Sequence, residues 1–118
     1  MQAVVVGASG FIGSHLVDAL LTAGYRVRAL GRRLPGLLAP VALADPALEV
    51  QACALEDATG LQQAVAGADL VVHLASSSLP QSSNRDPLAD VQVNLLGALN
   101  LLEACRLGGV GRLLVVSS

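Results

Sequence analysis

Short apolar runs alternate along the chain with longer stretches of helical period. The first run, Ala3-Val4-Val5-Val6, is rich in β-branched residues, closes on Gly7 and predicts a strand. From about Phe11 to Ala23, Ile12, Leu16, Leu20 and Leu21 recur on one stripe with Asp18 facing out, which predicts a helix stopped by Gly24. A second strand follows over Arg26–Leu30. The stretch from Gly31 to Pro46 holds Pro35, Gly36, Pro40 and Pro46, so any helix in it is short or broken. A third strand covers about Leu48–Ala52. Leu61, Ala64 and Val65 mark a short third helix ended by Gly67. Leu70-Val71-Val72-His73-Leu74 predicts a fourth strand, and its continuous apolar character suits burial on both faces. After a serine-rich loop over Ser76–Arg85, a long helix runs from about Pro87 to Leu107. Pro87 suits its first turn, and Leu95, Leu99, Leu102 and Arg106 share a face. Leu113–Val116 reads as a fifth strand. Strands alternating with helices in this way predict an α/β fold, a parallel sheet with helices on both faces.

Composition narrows the classes of function. The 118 residues suffice for one domain. Apolar residues make up 53% before the 12 glycines are counted, charged residues only 14%, and mean hydropathy is +0.64. That balance excludes intrinsic disorder. A formal net charge of −2 argues against a nucleic-acid binder, which needs a basic face. The longest uncharged stretch, Met1–Val17, is interrupted by Gly7, Ser9, Gly10, Gly13, Ser14 and His15 and has no basic start, so it is a poor signal peptide. No apolar run approaches the ~20 residues of a spanning helix. Cys53 and Cys105 stand in no metal or redox spacing and read as buried thiols of a reducing, cytoplasmic protein. His15 and His73 have no metal partners at ligand spacing and read as packed structural residues.

The chemistry concentrates at Val6-Gly7-Ala8-Ser9-Gly10-Phe11-Ile12-Gly13, between the first strand and the first helix. Glycines at G-x-x-G-x-x-G spacing allow a tight turn, close approach of backbone to a pyrophosphate, and close packing of helix on strand. The helix N-terminus adds free N–H groups and a positive dipole end. A plain turn would use the same glycines, but strand before and helix after is the context that dinucleotide binding requires.

With Ser14-His15-Leu16-Val17, this motif resembles the opening of the extended short-chain dehydrogenases/reductases, the NAD-dependent epimerase/dehydratase group. Three later segments match in order. Val71–Ser76 resembles the end of the fourth strand of that group, Asn94–Ala104 its fourth helix, and Leu113–Ser118 its fifth strand with the serines that follow. The loop Ser77–Asn84 is most similar to that of UDP-glucose 4-epimerases. The resemblance covers the whole chain and implies a Rossmann-type domain. It implies that Gly7, Ser9, Gly10 and Gly13 form the phosphate loop, with the backbone of Phe11 and Ile12 at the pyrophosphate. Leu74, Ala75 and Ser76 would line the cofactor, and Leu55 would face the adenine. An Asp often precedes that last position in the family; here it is Ala54. Asn94 would reach the cofactor-side loop from the long helix, a capping or solvent-facing Asn being the alternative.

The end of the second strand bears on which dinucleotide fits. A carboxylate there bonds the ribose 2′-OH of NAD, whereas an Arg accommodates the 2′-phosphate of NADP. The chain reads Leu30-Gly31-Arg32-Arg33, so the residues favour NADP, although an exposed basic turn would look the same. The resemblance to UDP-glucose 4-epimerases points to NAD.

The resemblance also implies a Tyr-x-x-x-Lys pair, the Lys lowering the pKa of a phenol that otherwise titrates near ~10. All seven positive charges of this chain are Arg, and its single Tyr is Tyr25, ahead of the second strand. Ser118 is the candidate for the hydroxyl that orients substrate; Ser117 or a residue beyond it could hold that role. The expectation is therefore the N-terminal, dinucleotide-binding portion of a longer enzyme, inactive by itself. The implied activity is 4-epimerisation of a UDP-hexose through a 4-keto sugar, a cofactor taking the hydride and returning it to the opposite face. A reductase or dehydratase of the same family and a non-catalytic NAD(P)-binding sensor are the alternatives. A homodimer is expected, through the long helix or the edge of the fifth strand.

Overall fold

In the computed structural model the described residues are 1–32, 34, 36, 38–74, 88 and 91–116. They contain five strands: β1 (Gln2–Val6), β2 (Arg26–Gly31), β3 (Leu48–Ala52), β4 (Leu70–His73) and β5 (Arg112–Val115). These form one sheet in the order β3-β2-β1-β4-β5. Every neighbouring pair is parallel; Val5, for instance, stands opposite Ala29 of β2 and Val72 of β4. Parallel neighbours require crossovers. The helices that lie between the strands are α1 (Phe11–Thr22), α2 (Pro40–Leu43), α3 (Ala58–Val65) and α4 (Gly97–Leu107). The last is entered through a π-helical turn over Val91–Leu96.

Side chains alternate across a strand, so β1 feeds two cores. Val4 and Val6 join Leu30, Leu61, Val65, Val71 and Leu101 on the side covered by α3 and α4. Ala3 and Val5 join Val17, Leu20, Val27 and Ala29 on the side covered by α1. Both faces of β1 are thus closed from Ala3 to Val6, which is why those four positions are all apolar. Arg28 of β2 is a half-buried polar residue of the sheet. Its guanidinium reaches the carbonyl of Ala64 near the end of α3 and pairs with Glu49 at 3.1 Å. A cation there meets the negative end of the helix dipole. At the other end of α3, Asp57 accepts the N–H of Gly60 at 2.9 Å, a side-chain cap.

Several expectations from the sequence are corrected. On α1 the buried face is Gly13, Ser14, Val17 and Leu20; Ile12 is 60% exposed, and Leu16 and Leu21 are half-buried. The contact of Gly13 with the loop before it fixes the rotation of the helix and turns Ile12 outward. Leu88 is helical, Val91–Leu96 form a π-helical segment that leads into α4, and the expected start at Pro87 lies outside the described residues. The stripe of Leu95, Leu99 and Leu102 does share a face, but that face is exposed, Leu99 by 51%. Gly97, Leu101, Ala104 and Cys105 face the core instead, because small residues let α4 lie close. His15 is not packed inside; it is exposed, with its ring edge-on to Phe11 at 4.7 Å. Cys105 is buried as expected, but Cys53 is only half-buried.

Candidate functional site

At the carboxyl end of β1 each glycine of the loop has its own physical reason. Gly7 has φ +91°, a conformation that side chains rarely adopt. Its N–H and that of Ala8 both donate to the carbonyl of Leu30, at 2.9 and 3.1 Å, which ties the loop to the end of β2. A Cβ on Gly13 would stand 2.3 Å from the carbonyl oxygen of Gly7 and 2.7 Å from the Cα of Ala8, so the helix touches the loop directly. Gly10 differs from both. Its φ is −81°, and a Cβ there would meet only the Gly7 oxygen, at 3.8 Å. The fold itself does not require glycine at position 10.

Gly10 is the N-cap of α1 and supplies no side-chain hydrogen bond. The Ser14 N–H is the first to bond back, to the Gly10 carbonyl at 2.9 Å. Helix geometry leaves the N–H groups of Phe11, Ile12 and Gly13 without partners in the helix. Phe11, 70% exposed, and Ile12 project outward beside them. The result is a positively polarised helix end without a side-chain cap, with the exposed Gly10 presenting no Cβ beside it. The sheet order reverses direction at β1, between β2 and β4, and open α/β sheets bind ligands at that point. A dinucleotide pyrophosphate fits this donor set.

The loop after β2 folds against the same turn. A Cβ on Gly31 would lie 3.4 Å from Ser9 Oγ, and one on Gly36, at φ +55°, would lie 2.5 Å from Ser9 Cβ. Arg32 follows Gly31, and its guanidinium is hydrogen-bonded to the carboxylate of Glu56. That pairing changes the expectation of a guanidinium ready for a 2′-phosphate, and the preference for NADP loses its footing. The Arg32 hydrogen bond holds the Glu56 carboxyl below its ordinary range. Leu55, beside it, is buried against Gly97, where a Cβ would come within 2.9 Å of the Leu55 Cβ. Asn100 donates from Nδ2 to the Leu55 carbonyl at 2.9 Å.

On the other side of β1, the Leu74 N–H donates to the Val6 carbonyl at 2.8 Å, and Leu74 is half-buried against the α1 side. Asn94 lies half-buried within the π-helical turn. His73 is 6% exposed, its Nδ1 has no hydrogen-bond partner among the described residues, and burial lowers its pKa, which favours the neutral form. Burial also raises the pKa of both thiols, Cys53 and Cys105, and makes them poor nucleophiles. Arg33, Ala75, Ser76 and Ser118 lie outside the described residues.

Sequence reasoning missed Glu56, Asn100 and Gly36. The first could have been found from topology. Gly31 and Ala52 are register partners, so the segments leaving β2 and β3 run side by side and bring an Arg near a Glu.

Known proteins are similar to this chain in sequence and fold. The chain is 35% identical over 122 residues to a UDP-glucose 4-epimerase of Mycolicibacterium smegmatis, covering 100% of this chain and 39% of that protein. It is 37% identical over 120 residues to a GDP-6-deoxy-D-mannose reductase of Pseudomonas aeruginosa, covering 97% of this chain and 33% of that one. Among solved structures, the Thermus thermophilus UDP-glucose 4-epimerase in complex with NAD superposes with a TM-score of 0.82 at 37% identity. That match covers 96% of this chain and 36% of the other. The chain therefore spans well under half the length of these relatives. The pattern of the NAD dependent epimerase/dehydratase family matches residues 3–118. With the glycine loop, the five-stranded parallel sheet and this match in agreement, the chain belongs to the NAD-dependent epimerase/dehydratase family.

Proposed function

We propose that this chain is the dinucleotide-binding portion of a nucleotide-sugar epimerase that interconverts UDP-hexoses at C4. The observation that carries the reading is Gly10, a glycine that neither φ nor packing requires, at a helix start without a side-chain cap. The similarity to the Mycolicibacterium smegmatis 4-epimerase supports the sugar class.

In this reading Gly7, Ser9, Gly10 and Gly13 shape the loop, and the N–H groups of Phe11 and Ile12 receive the pyrophosphate. Leu55, Arg32 and Arg33 stand at the adenosine end, while Leu74, Ala75, Ser76 and Asn94 line the nicotinamide end. Once bound, NAD(P) would supply the hydride chemistry. The chain's own residues bind, orient and keep water away. It contains no Lys, so a Tyr-x-x-x-Lys pair has to come from other sequence. Ser118 is the residue we assign to orienting a sugar hydroxyl. Alone, the chain binds a dinucleotide and turns nothing over.

The similarity to a GDP-6-deoxy-D-mannose reductase favours a second reading, an NADPH-dependent reductase on the same scaffold. A polypeptide joining this portion to a Tyr-x-x-x-Lys segment, assayed with UDP-glucose and with a 4-keto sugar plus NADPH, separates the two. Interconversion to UDP-galactose supports the epimerase. Net consumption of NADPH supports the reductase. We further propose a cytoplasmic homodimer, its contact made by the exposed leucines of α4 or the edge of β5. Among the described residues no helix is long and apolar enough to cross a membrane.

A further inference from the structure

We propose that Glu56 sets the dinucleotide preference of this site: it occupies the Arg32 guanidinium and keeps a carboxylate beside it, which disfavours a 2′-phosphate and favours NAD. The inference rests on the dinucleotide reading above and deepens it.

Three observations support it. First, Arg32 and Glu56 are brought together by the sheet. Gly31 and Ala52 are register partners, and the Cys53 N–H donates to the Gly31 carbonyl at 3.1 Å, so the two segments leave the sheet side by side. Second, the backbone on both sides of Glu56 is anchored. The Leu55 side chain is buried against Gly97 and its carbonyl is held by Asn100; Asp57 caps α3 through the Gly60 N–H. The carboxylate is thus presented from a fixed position rather than from a free loop. Third, both side chains keep a face to solvent, 54% for Arg32 and 52% for Glu56, so a ligand can reach them.

The consequence is electrostatic. Glu56 takes an Nη2 N–H of the guanidinium through one carboxylate oxygen, a donor that a phosphate would also seek. A 2′-phosphate would have to displace Glu56 or sit beside it, bringing two anions together. The 2′-hydroxyl of NAD carries no charge and meets no such opposition. An Arg at the end of β2, which by itself reads as an NADP signal, is neutralised by a residue 24 positions later in the chain.

The test measures dissociation constants for NAD and NADP by calorimetry at low ionic strength. It uses the 118-residue chain, Glu56→Gln and the double variant Arg32→Met/Glu56→Gln, each with its fold checked by circular dichroism. The wild type should prefer NAD. Glu56→Gln should move the NADP:NAD affinity ratio toward NADP by about fivefold, the scale of an exposed ion pair reinforced by relief of anion repulsion. The double variant should lose that gain. An unchanged ratio in Glu56→Gln, or a gain that persists without Arg32, overturns the inference while leaving dinucleotide binding intact. If the wild type binds neither dinucleotide, the cofactor reading fails and this inference with it.

Discussion

The glycines of the loop make separable predictions at the level of single residues. Gly13→Ala puts a methyl group 2.3 Å from the Gly7 oxygen, so the helix must move; about 2 kcal/mol of stability should be lost, read as a lower midpoint in urea. Gly10→Ala meets nothing closer than 3.8 Å and should cost no more than about 1 kcal/mol, mainly through a poorer N-cap. His73 supplies a pH dependence. Burial pushes its pKa below the ordinary 6.5, so between that value and its folded pKa the unfolded chain holds the extra proton. Stability should therefore fall as pH drops below about 6.5, by up to about 1.4 kcal/mol per pH unit, and the slope should flatten in His73→Gln. An equal slope in the variant removes His73 as the cause. Gly7, Gly10 and Gly13 were legible in the sequence because their spacing is local. The Arg32–Glu56 pair was not, because its partners meet only through the β2–β3 register.

For the helices, periodicity located α1 and the long helix but did not say which way they face. Four apolar residues of α1 form a stripe in sequence, yet the contact through Gly13 turns Ile12 to solvent. In α4 the small residues Gly97 and Ala104 select the buried face, and the more apolar leucine stripe is left outside. Hydrophobic pattern reports how apolar a face is; close approach of small residues decides which face wins. Asn100 is the polar tie between α4 and the segment after β3. Asn100→Ala should cost about 1 kcal/mol. It should also speed amide exchange around Leu55–Asp57, measured by hydrogen–deuterium exchange. Unchanged exchange there would show that Leu55 packing alone holds the segment.

For the whole molecule, the exposed Leu95, Leu99 and Leu102 and the β5 residues Leu114 and Val115 leave apolar surface on two sides of the fold. Such surface favours association. Sedimentation velocity at rising concentration should show a species heavier than the monomer, and Leu99→Glu with Leu102→Glu should dissociate it if α4 is the contact. Persistence of that species in the double variant would assign it to β5. Sheet order, glycine loop and helix start together create the surface that organises the rest: a helix end without a side-chain cap at the reversal point of the sheet, beside a glycine that neither φ nor packing demands. Calorimetric titration of wild type and Gly10→Ala with NAD tests that claim most directly. The account predicts saturable binding by the wild type and none by an equally folded Gly10→Ala; equal binding by both, or none by the wild type, would contradict it.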